Sequence, residues 1–336
     1  MVFPIAARKT LAQTTVECLL NLDPHPDQIT TASHMRSLME IVGQAFDLPF
    51  EEDGSIVVAS ALDVYRLWLC SATYQPSPVR DDPEFFTSRM LRHISMVFRP
   101  RAGAIDRHIQ IGKKALDVYV QVAKEAGPLF SPETWNEFLK LYLAVADSLL
   151  SQAVDAVQLA DRLQSHVLRV LFEIWFLSGN RQEDLWGILK SLFINWRHRL
   201  ATVTAWTSVL FGLVQRVIGI TYGEGVGTAA VSFSIGDSPV TMILENEHAV
   251  FTMYKVLHLI GDLESVKDPG IYNEAIRGLG FLTTALINVS SKLKTRDVIP
   301  PDGNSILHLL GPLLLEAITS FPRKLDHGKA TAVEAV

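Results

Sequence analysis

The densest group of candidate metal ligands in this sequence is the segment ENEHA, residues 245–249, which supplies Glu245, Glu247 and His248. Carboxylate and imidazole groups bind zinc, but a zinc site needs three or four such ligands converging on one point. Acidic side chains are also favoured at the start of a helix, where they meet the positive end of the helix dipole. We therefore interpret ENEHA as the beginning of a helix and predict no metal site.

Phosphate-binding and hydrolytic motifs are missing from the sequence, which contains no GxxxxGK[ST] loop, HExxH helix, EF-hand loop or GxSxG turn. The segment GEGVG, residues 223–227, has three glycines at alternate positions. A dinucleotide-binding loop follows a strand and leads into a helix, whereas this segment follows a predicted helix and does not lead into another. We predict a flexible loop here, and no catalytic, cofactor-binding or metal-binding residues in the chain.

A basic and aromatic cluster lies in FINWRHRLATVTAWTSVL, residues 193–210, where Trp196, Arg197, His198 and Arg199 are adjacent. Such a cluster fits a nucleic-acid clamp, a membrane edge, or a corner between two buried helices. The neighbouring positions are mostly Leu, Ile and Val, and the net charge of −6 repels phosphate backbones. We interpret the segment as a helix corner, in which the arginines bond the last carbonyls of the preceding helix.

The composition indicates a folded protein from a reducing compartment. Of the 336 residues, 48% are hydrophobic, enough to build an extensive core. Two cysteines, Cys18 and Cys70, are too few for a disulfide scaffold. The first residues lack the compact apolar run of a signal peptide, and the uncharged stretch 200–215 is too short to span a membrane before Arg216 ends it. We therefore expect an intracellular protein without a transmembrane segment.

The elements that must position these residues are helices, because apolar residues recur at intervals of three and four along most of the chain. Residues 132–150 form one apolar stripe after a Ser–Pro start, and residues 245–260 form another. About twelve such helices with short connections predict an all-α protein, a HEAT/armadillo-like α-solenoid with degenerate repeats. A compact helical bundle is the alternative, since no fixed repeat period is visible.

We predict one solenoid domain over residues 1–320. Two segments interrupt its helical pattern. Residues 221–247 are rich in Gly, Ser and Val and are predicted to form an irregular loop, with a short strand pair as the alternative. Residues 292–304 contain KLKTRDVIPPDG and are predicted to form a linker before a last apolar helix. The polar, alanine-rich residues 321–336 are predicted to form a flexible tail.

The tryptophan-rich half of the chain resembles a known family. The phrases LFEIWFLSGN and INWRHRLATVTAWTSVLFGLVQRVIGITYG, in this order, are similar to the N-terminal region of the beta-subunit family of Ral GTPase-activating protein complexes. Collinear likenesses extend from HMRSLMEIVGQAFDLPF to GNSILHLLGPLLLEA, over about 280 residues. The positions that carry the family motif are expected to be structural. They are Trp175, Asn195, Trp196, Arg197, His198, Trp206, Tyr222 and Gly223.

The resemblance implies a non-catalytic regulatory subunit that forms a heterodimer with a catalytic alpha subunit in the cytoplasm. The Ral-type small GTPase is then reached only through the complex, and no cofactor or nucleic acid is expected. Family members are several times longer than this chain, which we interpret as a fragment, a truncated gene product or a divergent short form. Segment 221–247 and the ends of the tryptophan-rich helices are candidate partner surfaces.

Two alternative hypotheses remain at this stage. The first makes Arg197 or Arg199 an arginine finger, a side chain that stabilises the transition state of GTP hydrolysis and is therefore exposed on a mobile loop. The second is a HEAT-like protein-interaction or membrane-surface adaptor unrelated to GTPases. The scarcity of Lys and Arg clusters disfavours binding to anionic lipid, since RHR and KLKTR are the densest basic spots.

Overall fold

The computed structural model describes residues 4–21, 28–101, 104–151, 157–223, 225–293, 298–319 and 330. These residues are predominantly helical, which confirms the predicted class, and a two-stranded hairpin is also present. The stacking of the helices into a solenoid stays a prediction. The predicted tail, 321–336, lies outside the described residues except for Ala330, and the predicted linker, 292–304, is described except at 294–297.

Contacts divide the chain into two compact units, which are described separately. Unit 1 comprises residues 1–149 and 153–178, and unit 2 comprises residues 150–152 and 179–336. This division does not test the predicted single domain over 1–320, which stays a prediction. The helices of unit 1 are α1 (Ile5–Asn21), α2 (Ala32–Ala45), α3 (Glu52–Cys70), α4 (Ser77–Asp81), α5 (Pro83–Ser95), α6 (Ile105–Glu125), α7 (Pro132–Leu150) and α8 (Val157–Leu177).

Unit 2 combines helices with the hairpin. Short 3-10 turns cover 258–260 and 263–265 and connect α11 to α12. The helices and strands of unit 2 are α9 (Glu183–Trp196), α10 (Leu200–Tyr222), β1 (Val231–Ile235), β2 (Ser238–Met242), α11 (Asn246–Leu257), α12 (Pro269–Ile287), α13 (Val289–Lys292) and α14 (Gly303–Thr319).

The core of unit 1 is built around α6, which packs against α3 and α8. Buried tyrosines connect its helices, because a phenol removed from water needs a hydrogen-bond acceptor. Each hydroxyl donates to a main-chain carbonyl of a neighbouring helix. The pairs are Tyr65 with Met39 at 2.8 Å, Tyr119 with Leu91 at 3.0 Å and Tyr142 with Val167 at 2.9 Å. Burial raises the pKa of all three phenols, so they stay neutral.

A buried carboxylate also holds α8 against α6. Glu173 is only 2% exposed, and both of its oxygens are paired. Arg169 Nη1 lies 3.2 Å from Glu173 Oε1, and Lys124 Nζ lies 2.9 Å from Oε2. Arg169 Nη2 lies 2.7 Å from Asp117 Oδ1 on α6. A carboxylate removed from water is tolerated only when it is paired in this way, so the Glu of the LFEIWF phrase has a structural role in the helix packing.

Helix α10 forms the centre of unit 2 and packs against α11, α12 and β1. At 23 residues it is, by length and composition, long and apolar enough to cross a membrane, and it extends beyond the predicted stretch 200–215. Residues 200–215, which were expected to be too short to span a membrane, are thus part of a longer helix that continues through Arg216 to Tyr222. In unit 2, 61% of its most apolar window is buried against other elements, as in the core helix of a folded unit.

The hairpin, residues 231–242, occupies twelve of the 27 residues of the segment predicted as an irregular loop, and it is the strand pair that the sequence left open. Val231 pairs with Met242 and Ile235 with Ser238, which leaves a two-residue turn at 236–237. Gly236 has φ of 60°, as such tight turns require. The side chains of alternate residues in β1 are buried.

Strand β1 lies directly on the backbone of α10. A Cβ at Gly212 would overlap the carbonyl oxygen of Ser232, and a Cβ at Gly219 would overlap that of Thr228. Ser208, one turn before Gly212, accepts a hydrogen bond from the amide of Ser234 at 3.0 Å. The stripe of small residues on α10 therefore allows a close approach that larger side chains would block.

Candidate functional site

The corner between α9 and α10 is organised by the side chain of Arg197. This residue ends α9, and its amide donates to the carbonyl of Phe193 at 3.0 Å. Its Nη1 atom donates to the carbonyls of Ile260 at 2.7 Å and Asp262 at 2.6 Å. Its Nη2 atom donates to the hydroxyl of Ser265. The guanidinium thus joins the end of α9 to the turn that follows α11.

The turn that receives Arg197 is shaped by Gly261, whose φ is 67°. A side chain at this position would meet Ile194 at 2.8 Å, so both the backbone conformation and the space favour glycine. Asp262 Oδ1 accepts from the amide of Glu264 at 2.8 Å. Ser265 Oγ donates to the carbonyl of Asp262 at 2.9 Å, which leaves its oxygen lone pairs available for Arg197. Hydrogen bonds within the turn therefore hold the oxygen atoms that accept from Arg197.

The two arginines of the corner bond the last carbonyls of α9 through their main-chain amides, Arg197 to Phe193 and Arg199 to Trp196, each at 3.0 Å. Their side chains bond other segments, and that of Arg197 bonds the turn at 260–265. Arg199 begins α10, and its Nε atom donates to the carbonyl of Leu150, within the same unit, at 3.0 Å. Arg197 is only 9% exposed. A guanidinium buried in this way is not presented to a GTPase, so the structure argues against Arg197 as an arginine finger.

The polar and apolar residues of the NWRH phrase lie in different environments. Asn195 and His198 are exposed, and His198 Nδ1 bonds the carbonyl of Asn195 at 2.8 Å. Trp196 is fully buried. Trp206 on α10 is also fully buried, and its Nε1 atom donates to the carbonyl of Val256 at 2.7 Å. These tryptophans therefore pack in the core of unit 2 and are not free for stacking on nucleic-acid bases.

The last two motif residues, Tyr222 and Gly223, lie at the end of α10. Gly223 has φ of 94°, and its amide donates to the carbonyl of Gly219 at 3.0 Å, which ends the helix. Tyr222 lines a cavity of about 720 Å³ with residues of α11 and α14. Partial burial raises the pKa of its phenol. Trp175 is buried in unit 1, so the structure places seven of the eight motif residues in unit 2 and one in unit 1.

The candidate metal ligands do not converge. Residues 245–247 begin α11, with Glu247 in its first turn, while His248 is buried. Glu247 is exposed and lies 3.6 Å from Arg181. Among the residues that the structure describes, no group of three His, Cys, Asp or Glu side chains is positioned to hold a metal ion. Burial raises the pKa of the Cys70 thiol to about 12, which makes it a poor nucleophile.

The sequence did not reveal a groove between α10 and α12 that is open to solvent and has a volume of about 470 Å³. Two of its aromatic side chains are exposed, Phe211 by 39% and Phe281 by 55%. These residues belong to two helices that are far apart in the chain, so no local pattern signals the groove. Its lining residues are Thr207, Ser208, Phe211, Gln215, Phe281, Thr284, Ala285, Asn288 and Lys292.

The described part of this molecule is therefore a helical protein in which Trp196, Arg197 and Trp206 are buried in unit 2 and an open groove lies between α10 and α12. Comparison with known proteins confirms the resemblance seen in the sequence. Residues 104–224 match the model of the family described as the RALGAPB N-terminal domain. This range runs from the start of α6 to just past the end of α10, and it includes all eight motif residues.

Curated relatives match a larger part of the chain. It is 26% identical over 253 residues to the Ral GTPase-activating protein subunit beta of Homo sapiens, with 72% of this chain covered. The same subunit of Rattus norvegicus is 26% identical over 251 residues, and a Rap-GAP domain-containing protein of Dictyostelium discoideum is 26% identical over 227 residues, with 67% of this chain covered. The chain spans 16% of the two mammalian subunits and 13% of the Dictyostelium protein. No solved structure matches.

Proposed function

We propose that this chain is a non-catalytic, regulatory part of a Ral-type GTPase-activating complex, and that it binds the catalytic alpha subunit. The observation that carries the proposal is the similarity to the beta subunit over 72% of this chain. The family match, residues 104–224, includes all eight motif residues. The Ral-type small GTPase is then reached through the complex, and the chain itself acts on no nucleotide.

The chemistry of the described residues supports a binding role. Arg197, the arginine that would have suited transition-state stabilisation, is engaged by the turn at 260–265. No His, Cys, Asp or Glu group in the described ranges converges on a metal-binding point. Exposed apolar side chains instead line an open groove, which suits contact with another protein.

The proposal includes an α-solenoid of the HEAT or armadillo type and a cytoplasmic location. Within each unit, the helices in contact are near neighbours in the chain, as in α1 with α3, α6 with α8 and α10 with α12. Neighbour-to-neighbour packing of this kind is typical of solenoids. A net charge of −6 disfavours nucleic acid as a partner.

Co-purification with an alpha-type subunit tests the proposal. We expect the two folded chains to elute together at low salt, and this chain alone to leave the rate of GTP hydrolysis by Ral unchanged. Separate elution of two chains that are shown to be folded would contradict the binding role. Stimulation of Ral by this chain alone would contradict the non-catalytic role. Liposome flotation, in which we expect no binding, tests the membrane-adaptor alternative.

A further inference from the structure

We propose that the groove between α10 and α12 receives an amphipathic helix of the alpha subunit, one with an apolar face and a carboxylate at its edge. This inference rests on the proposed function and assigns a surface to it. Phe211 and Phe281 expose aromatic rings on two adjacent helices, and both line the same groove, so they form one apolar patch rather than two scattered residues. Aromatic residues of this kind supply much of the binding energy in protein interfaces.

The shape of the groove suits a helix. The groove lies between two packed helices, where Gly278 on α12 allows the side chain of Thr207 on α10 to approach closely. Side chains of successive turns line it on both helices, so it follows the helix direction over two to three turns. A helix that binds such a groove inserts apolar side chains at intervals of three and four residues.

The charge of the groove indicates what its occupant must carry. Of the described residues that line it, Lys292 is the one charged side chain, and the remaining polar groups are hydroxyls and amides. An occupant with a carboxylate near Lys292 would pair this cation, and hydroxyl groups at Ser208 and Thr284 provide a polar rim. A second copy of this chain docked groove to groove would bring the same lining against itself and supply no carboxylate to Lys292. A helix of a different chain can supply one, and it is the occupant that we assign.

The free edge of strand β2 does not offer a comparable site for a partner. The edge of β2 carries Pro239, which has no amide hydrogen to donate to an added strand. In the register observed here, Pro239 opposes Ser234. Strand addition at this edge would therefore lack one of its hydrogen bonds, whereas the groove binds through side chains and needs no free main-chain donors.

Single substitutions in the groove test the proposal in the full 336-residue chain. The affinity for the alpha subunit would be measured by biolayer interferometry for the unmodified chain, Phe211→Asp, Phe281→Asp and Lys292→Glu. We expect the two Phe variants to bind at least about tenfold more weakly, since each places a charge where an apolar side chain is buried on binding. Lys292→Glu should weaken binding less and increase its salt dependence.

Ile188→Asp is the matched control, because Ile188 is an exposed apolar residue of α9, at 42% exposure, in the same unit. It should bind as the unmodified chain does, and thermal unfolding should show that all variants are folded. Failure of the unmodified chain to bind would overturn the proposed function and this inference together. Binding by the unmodified chain and equal binding by the Phe variants would overturn only the groove assignment. A dimer of this chain that Phe281→Asp dissociates would identify a second copy as the occupant and would also overturn it.

Discussion

Replacement of Arg197 by alanine should loosen the turn at 260–265 much more than it changes the rest of the molecule. The guanidinium donates to the carbonyls of Ile260 and Asp262 and to the hydroxyl of Ser265. A hydrogen bond from a charged donor contributes about 1.5–3 kcal/mol, and a buried acceptor left unpaired costs about 1–3 kcal/mol. Water can reach part of this turn and can replace some of the lost hydrogen bonds. We therefore expect unit 2 to lose about 3 kcal/mol of unfolding free energy, less than the sum of the separate contributions.

Hydrogen exchange is the suitable assay, because a chain of two units need not unfold in one step. The amides of Gly261, Glu264 and Val266 each donate a hydrogen bond within the turn. In the alanine variant these amides should exchange roughly a hundredfold faster, which corresponds to about 3 kcal/mol of lost protection. Arg197→Lys should give an intermediate effect, because an ammonium group cannot reproduce the planar arrangement of donors.

Arg199→Ala is the matched control for this experiment. Arg199 lies in the same corner but bonds the carbonyl of Leu150 and not the turn. It should leave exchange at 261–266 unchanged and cost about 1 kcal/mol elsewhere in unit 2. If Arg197→Ala left the exchange rates at 261–266 within about threefold of the unmodified chain, the structural role assigned to this guanidinium would be wrong.

Three further predictions concern other parts of the chain. Glu173→Gln should destabilise unit 1 by about 2–3 kcal/mol in urea unfolding, because it leaves Arg169 and Lys124 without the buried carboxylate that pairs them. Gly212→Ala should destabilise unit 2, because the added Cβ would overlap the carbonyl of Ser232 and push β1 away from α10, whereas Gly187→Ala on α9, which meets no atom within 4 Å, should stabilise it by about 0.5–1 kcal/mol. Lowering the pH from 7 to 5 should destabilise unit 1 through His93, and His93→Gln should reduce this dependence.

The sign of the His93 effect follows from its environment. Burial lowers the pKa of His93 below its usual value, although the nearby Glu40 opposes this shift and Arg89 adds to it. The unfolded chain therefore binds the proton more tightly, with a pKa of about 6.5, and acid favours unfolding. Tyr65 donates to the carbonyl of Met39, so its hydroxyl can only accept from His93 Nδ1, at 2.7 Å.

Each of these predictions has an outcome that contradicts it. Unchanged urea midpoints for Glu173→Gln would mean that the buried ion pairs are not formed in solution. Equal stability changes for the Gly212 and Gly187 variants would contradict the close approach of β1 to α10. A pH dependence that is the same with and without His93 would place the titrating group elsewhere.

Local pattern was a good guide to the helices and a poor guide to the hairpin. A stripe of apolar residues such as that of α7 predicts a helix because its period matches 3.6 residues per turn. Strands β1 and β2 are five residues each and are interrupted by Ser and Pro, so alternation is too short to separate them from a loop. Their position depends on Gly212 and Gly219 of α10, which the hairpin sequence does not contain.

For the motif residues, too, the sequence predicted some features and missed others. The resemblance in sequence singled out Trp196, Arg197 and Trp206, and the structure places all three side chains in the interior of unit 2. The sequence did not predict that the side chain of Arg197 bonds the turn at 260–265, since the neighbours of a helix end in the chain are known and its neighbours in space are not. The groove of Phe211 and Phe281 was not predicted either, because its lining residues come from helices that are distant in the chain.

The sequence by itself determined the helical class, the low charge and the resemblance to the beta-subunit family, because these depend on composition, on local periodicity and on residue order. Only the tertiary structure decided that Arg197 bonds residues 63 to 68 positions away and that two distant phenylalanines share one groove. Such contacts arise from the packing of whole helices against one another, and the burial that selects this packing is a property of the folded chain rather than of any segment.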